Sequence, residues 1–328
     1  MKNQNLMILP NNELISTLDD LLKETKELYD QQISYGTKRA YEFDWKVFSN
    51  WCSDNNFIAE RATPYIVSLF LTFQFKKKHR HPSTINRRLA AIKFWFKSRN
   101  LKSPTDDELV HSVLKGIRRD KNAKLSKSKK AITKELIMQM VDLCFTDDIR
   151  DIRDRAILLL GYCGAYRENE LVSINIEDIT FIDGKGMDIF HRYSKTDQEG
   201  KGKIKPIIQA QVLFQYCPVR AVKKWIDAAK ITSGALFRGI NKHGKIENTR
   251  MSHDVVYEVI KRCILKLGYE YNEYSSHCLR VGFVTQALRS GARIDKIPSV
   301  TDHKSIRSLE FYIQHEDRYE DHPGKNIF

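Results

Sequence analysis

Four short blocks in the second half of this 328-residue chain carry residue types that can do chemistry. The first is Gly164-Ala-Tyr-Arg167-Glu-Asn-Glu170, where an arginine and a glutamate stand three apart and so share a helical face. As a plain surface pair they would contribute well under about 1 kcal/mol. The second is Tyr193-Ser-Lys195-Thr-Asp-Gln-Glu-Gly-Lys-Gly202, a polar turn that presents Lys195. A lysine on a hairpin turn is usually just solvated. The third is Ser276-His277-Cys-Leu-Arg280, with Ser275 or Ser276 able to cap a helix. His277 and Arg280 share the face at that helix start, where backbone N–H groups also point outward, and together they could bind a phosphate. The fourth holds His303 and, nine residues on, Tyr312 between Phe311 and Ile313. Read alone, those two are a buried histidine and a core tyrosine.

Around these blocks the pattern is mostly helical. Residues 12–30 repeat leucine near helical spacing (Leu14, Leu18, Leu21, Leu22, Leu28). Thr37 is a candidate cap for a helix to Asp54, with Tyr41, Trp45, Phe48 and Cys52 on one side. Thr63-Pro64 and Pro82-Ser83 open two more, proline being favourable at the first helical position. Thr105-Asp-Asp-Glu108 reads as a capping box for a fifth helix ending near Arg119. The expected first domain, residues 1–120, is thus all helical. A basic linker, 121–132, follows, with one large apolar residue between Lys121 and Lys130. Thr133 opens a second domain, 133–328. Within it Ile179–Ile182, Met187–Phe190 and Ile204–Ile208 read as short strands, with Asp183-Gly184 and Glu199–Gly202 as turns. From Val219 onward the pattern predicts helix. The fold class expected is mainly α with a small antiparallel β-sheet.

Charge narrows the partner. The net charge is +14, and Lys76 to Lys130 alone holds 18 Lys or Arg against 4 Asp or Glu, which equals that whole excess. A concentrated cationic segment points to a polyanion, most often nucleic acid. Phosphate contacts from such a face would hold DNA without reading its sequence. The longest apolar run, Ala156–Tyr166, has 11 residues, too few to span a membrane. The N-terminus shows no signal-peptide pattern. The six cysteines (52, 144, 163, 217, 263 and 278) form no Cys-x-x-Cys pair, so neither a disulfide framework nor a zinc site is expected. A cytoplasmic location fits that usage.

Taken together, the order Arg, Lys, His-x-x-Arg, His, Tyr resembles the tyrosine recombinase family, the phage-type integrases. The likeness covers the whole chain. Thr84-Ile-Asn-Arg-Arg-Leu-Ala-Ala-Ile92 and Leu114-Lys-Gly-Ile-Arg-Arg119 look like the family's helical, SAM-like core-binding domain. Cys217-Pro-Val-Arg-Ala-Val222 looks like part of its α+β catalytic domain. The resemblance implies a site-specific DNA recombinase that needs no metal, cofactor or ATP. Tyr312 would attack phosphorus and become a 3′-phosphotyrosine. Arg167 and Arg280 would hold the non-bridging oxygens, which suits guanidinium because it binds phosphate bidentately and stays charged. Lys195 would protonate the leaving 5′-oxygen, its pKa lowered by the arginines beside it. His277 and His303 would hydrogen-bond the phosphate, with His277 assisting the tyrosine's proton. Glu170 would orient its neighbours.

The family usually has glycine before the histidine of the fourth block, where this chain has Asp302. If the position needs φ > 0, aspartate is tolerated but strained relative to glycine. Ser308-Leu309 replaces the small pair usually found between that histidine and the tyrosine, and Tyr319 is a second tyrosine nearby. Two other functions stay open: DNA relaxation of the type IB topoisomerase kind, and a DNA-binding protein without catalysis. The implied partner is double-stranded DNA with inverted-repeat sites. The assembly would be a monomer or dimer on each site and a tetramer in synapsis, with Ile327-Phe328 as a docking anchor. About 30 residues precede the second helix, which leans toward the simpler two-domain, Cre- or Xer-like plan, for integration, resolution or inversion. Arg87, Arg88 and Lys93, with Lys261 and Arg262, are the candidates for contact with bases.

Overall fold

The computed structural model describes residue 18 and residues 20–25, 33–120, 129–191 and 202–302. It divides into two compact units, Met1–Lys127 and Ser128–Phe328, a division that falls inside the expected linker. Of the leucine-rich helix expected over residues 12–30, the described part, residues 18 and 20–25, is helical and exposed.

Beyond that segment the described part of the first unit holds four α-helices, α1 (Tyr35–Asp54), α2 (Pro64–Lys76), α3 (Pro82–Lys97) and α4 (Glu108–Arg119). Their starts are set by short polar side chains. Thr63 Oγ1 accepts the N–H of Ile66 at 3.4 Å just before Pro64, as its sequence predicts. Two other starts differ from expectation. Ser34, not Thr37, caps α1, accepting the Thr37 N–H at 3.3 Å. The expected capping box at Thr105 is instead a short 3₁₀ turn, Pro104–Asp106, and Asp107 caps α4 by accepting the Leu109 N–H at 2.9 Å. The core joins Phe48, Phe70, Ile85, Ile92, Val110 and Ile117. At its margin the rings of Trp45 and Trp95 stack 4.0 Å apart and 5° from parallel.

The second unit is organised around α6 (Ile149–Cys163), whose residues from Ile152 to Tyr162 are all buried. Around it lie α5 (Lys134–Asp142), α7 (Glu168–Ser173), α8 (Pro218–Ala229), α9 (Asp254–Lys266), α10 (His277–Arg289) and α11 (Ile297–Thr301). Three antiparallel strands, β1 (Ile179–Ile182), β2 (Gly186–His191) and β3 (Lys203–Ile208), form a sheet in chain order. All three lie where the alternation predicts them. A second hairpin, β4 (Arg238–Ile240) with β5 (Ile246–Arg250), corrects the expectation of continuous helix after Val219. Trp225 sits at 0 % exposure with its indole N–H donating to the Leu236 carbonyl at 2.8 Å.

The last residues of the expected linker belong to this unit's core. Ile132 is buried and its N–H donates to the Cys278 carbonyl at 3.3 Å. That packing depends on Gly282, where a Cβ would lie 1.9 Å from the Ile132 carbonyl oxygen.

Candidate active site

The site begins where α6 ends. Gly164 closes the helix, Ala165 turns back at φ 48°, and Tyr166 folds inward to near-complete burial. A side chain at 164 would meet the Tyr166 ring at 2.2 Å, so glycine permits the fold-back. The turn delivers Arg167 in extended conformation to the N-cap of α7. Arg167 therefore precedes the helix rather than sitting within it. Glu170 returns to it twice: one carboxylate oxygen accepts the Arg167 N–H at 3.1 Å and the other meets its guanidinium. Glu170 is the more buried of the pair, so the glutamate fixes the arginine's direction rather than forming a loose surface bridge.

The start of α10 meets the start of α7. Ser276 does not cap α10 with its side chain; its hydroxyl donates to Glu168 instead. That bond brings His277 into the field of two cations. The His277 pKa is lowered, by partial desolvation first and then by Arg280 and Arg167, and it is held neutral near pH 7. Arg280, one turn along, is fully buried at 0 % exposure. Its guanidinium donates to the Ala165 carbonyl at 3.0 Å and to the Thr301 carbonyl. A buried arginine thus spans the turn before Arg167 and the end of α11.

At that end stands Asp302, in the left-handed region at φ 54° and ψ 34°. The position does require the conformation that glycine usually supplies. The aspartate's carboxylate meets Lys203 and lies 3.4 Å from the ammonium of Lys205. Burial alone would raise the Asp302 pKa, but the bond to Lys203 and the charges of Lys205 and Lys203 outweigh it and hold the carboxyl below its usual range. Lys205 is 1 % exposed, over the face of the Tyr166 ring at 4.3 Å, and donates to the Gly164 carbonyl at 3.2 Å. Its own pKa is lowered, chiefly by burial. The Tyr166 hydroxyl in turn pairs with His191 Nε2 at 3.0 Å.

Of the predicted catalytic residues, the structure brings together Arg167, Glu170, His277 and Arg280. Lys195, His303 and Tyr312 lie outside the described residues, as do Tyr319, Ser308, Leu309, Ile327 and Phe328. The described strands β2 and β3 flank Lys195 in sequence, and Asp302 immediately precedes His303.

The base-contact candidates fare unevenly. Arg88 faces inward at 6 % exposure, bonded to Gln74 and 3.5 Å from the buried Asp44. That burial corrects the expectation for Arg88: its guanidinium is taken up by side chains of the first unit's interior. Arg87 is half-exposed and grips the same aspartate through two bonds of 2.7 and 3.1 Å. Lys93 pairs with Asp106 on the surface, Arg262 pairs with Asp154, and the Lys261 ammonium lies 4.5 Å from the Tyr271 ring centre.

Lys205 escaped the sequence reading, although a signal for it exists. Along β3 the lysines at 203 and 205 share a face with the buried Ile207, while Ile204 and Ile208 face solvent. A strand that turns isoleucine outward and lysine inward has a polar task on its inner face.

Residues 130–318 match the model of the phage integrase family. The chain belongs to that family, the tyrosine recombinases. It is 30 % identical over 333 residues to the integrase/recombinase xerD homolog of Selenomonas ruminantium, covering all of this chain and 96 % of that one. It is 23 % identical to the recombinase cre of Escherichia phage P1, over 96 % of this chain and 94 % of that protein. Two solved structures share the fold. XerH site-specific recombinase bound to a palindromic difH substrate aligns at TM-score 0.63 and 15 % identity, over 96 % of this chain and 88 % of that one. The lambda integrase dimer bound to a core site aligns at 0.61 and 14 %, over 97 % and 83 %.

Proposed function

We propose that this chain is a site-specific DNA recombinase that cleaves and rejoins DNA through a 3′-phosphotyrosine. The observation that carries the reading is the convergence of Arg167, His277 and Arg280 where α7 and α10 begin, with Glu170 fixing Arg167. Preorganised cations of this kind stabilise the negative charge that a phosphoryl transition state gathers on its non-bridging oxygens.

In the proposed step the Tyr312 oxygen forms a bond to phosphorus and the bond to the 5′-oxygen breaks. Lys195 gives that oxygen its proton. Neutral His277 can take the proton that leaves Tyr312, because burial first, and then the arginines beside it, lower the imidazole's pKa. His303 holds a non-bridging oxygen. The phosphotyrosine keeps the energy of the broken phosphodiester, so a second DNA end can be joined without ATP. Double-stranded DNA with inverted-repeat sites, paired in a tetramer, is the proposed substrate and assembly. The exposed basic groups of residues 76–130 would hold the phosphate backbone.

The test uses the full chain and a duplex that it selects from a randomised pool, nicked beside the cleavage position. A covalent adduct on that duplex, with strand exchange between two copies, is the expected result. Relaxation of any supercoiled plasmid without site preference would replace the proposal with a topoisomerase, and binding with no adduct would leave a DNA-binding protein. Tyr312→Phe should bind the duplex as the natural chain does and form no adduct. An adduct with that variant would move the nucleophile elsewhere, Tyr319 first.

A further inference from the structure

Lys205 is a buried cation that the phosphate chemistry does not use. It makes the same kind of bridge as Arg280, one residue displaced along each partner segment. Arg280 joins the Ala165 carbonyl to the Thr301 carbonyl. Lys205 joins the Gly164 carbonyl, at 3.2 Å, to the Asp302 carboxylate, at 3.4 Å. Two buried cations therefore tie the turn that delivers Arg167 to the turn that leads into His303. Lys203 completes the second bridge from the same strand, donating to the Ser299 carbonyl at 2.6 Å and meeting Asp302.

A buried lysine is expensive unless its charge is compensated. Here the compensation comes from Asp302, a residue held in a left-handed backbone that glycine would adopt with less strain. Both features run against local preference, and each has its partner in the other. Consistent departures of this sort mark a functional constraint.

We propose that Lys205 and Asp302 are positioning residues of the cleavage site: their ion pair sets the 164–167 turn against the 301–302 turn, and with it the direction in which Arg167 is presented. The pair touches no substrate. It acts through the arginine it places. The proposal rests on the recombinase reading above.

The test compares Asp302→Gly, Lys205→Met and the double variant in the full chain, on the selected nicked duplex. Glycine takes the left-handed backbone freely, so Asp302→Gly removes the carboxylate without straining the turn. Each single variant should slow single-turnover adduct formation at saturating protein by between about tenfold and a hundredfold, the range that misplacing reacting groups costs. The Kd for the duplex should change by less than about threefold, separating positioning from general loss of structure. The double variant should be no slower than the slower single, since both remove one unit. Adduct formation by Asp302→Gly within about twofold of the natural chain would overturn the proposal, as would losses that multiply in the double variant. A slower rate matched by an equal loss of binding would overturn it too. If circular dichroism shows Lys205→Met unfolded, Asp302→Gly decides alone. If the natural chain forms no adduct, the recombinase reading fails first and this proposal falls with it.

Discussion

Arg167 and Arg280 share a side chain and a proposed task, yet the protein holds them in opposite ways. Arg167 is partly open to solvent and leans on one glutamate. Arg280 is buried and supports two backbone carbonyls. Their alanine variants should differ accordingly. Arg167→Ala should lower stability by no more than about 1 kcal/mol, as for other partly exposed pairs, while adduct formation falls on the order of a hundredfold or more. Arg280→Ala should lose catalysis and also about 3 kcal/mol of stability, because two buried carbonyls lose a charged donor. Denaturant melts beside single-turnover rates check both, and equal stabilities would contradict the structural difference. At this scale the site was legible as an order of residue types that resembles a family's, and the structure brings Arg167, Glu170, His277 and Arg280 of that order together. Burial was not. Which of Arg87 and Arg88 turns inward depends on partners outside the run: both reach Asp44, more than forty residues earlier, and Arg88 also bonds Gln74.

Elements were legible where one local rule sets them. Thr63-Pro64 starts a helix because the threonine caps it and the proline fits its first turn. The strands β1 to β3 follow from alternation and from turns at Gly184 and Gly202, both with positive φ. The starts of α1 and α4 were misplaced because two candidate caps stand within three residues of each other and tertiary packing chooses between them. The hairpin β4–β5 was missed for another reason. Ile246-Glu-Asn-Thr-Arg250 has little apolar alternation, and its strand is held from outside itself, with the Arg250 guanidinium donating to the Val172 carbonyl. Element packing also supplies a prediction. Helix α10 carries His277 and Arg280, and Gly282 lets the 129–132 segment lie against it. Gly282→Ala forces a Cβ into the Ile132 carbonyl and should cost at least about 2 kcal/mol, although alanine is the better helix former by about 1 kcal/mol. A denaturant midpoint that rises in this variant would show that the segment moves aside freely.

For the whole molecule, charge is the property the sequence states most directly. The excess of +14 lies within Lys76–Lys130, and in its first stretch Lys77, Lys78 and Arg80 are exposed. Binding to duplex DNA should therefore weaken steeply with salt, log Kd changing linearly with log salt concentration. Replacing Lys77 or Arg80 with glutamine should reduce that slope by roughly 1 for each phosphate no longer neutralised, with little change in which sequence is preferred. An unchanged slope in both variants would place the DNA-holding surface elsewhere. The distribution of tryptophan gives each unit its own optical signal. Of the chain's four indoles, Trp45, Trp51 and Trp95 belong to the first unit and Trp225 to the second. The stacked Trp45–Trp95 pair should give a paired, oppositely signed band in far-ultraviolet circular dichroism. Trp225, dry and hydrogen-bonded, should emit at the blue edge. Melting one unit before the other, or ordering one by DNA, can thus be followed in a single cuvette without attaching a label.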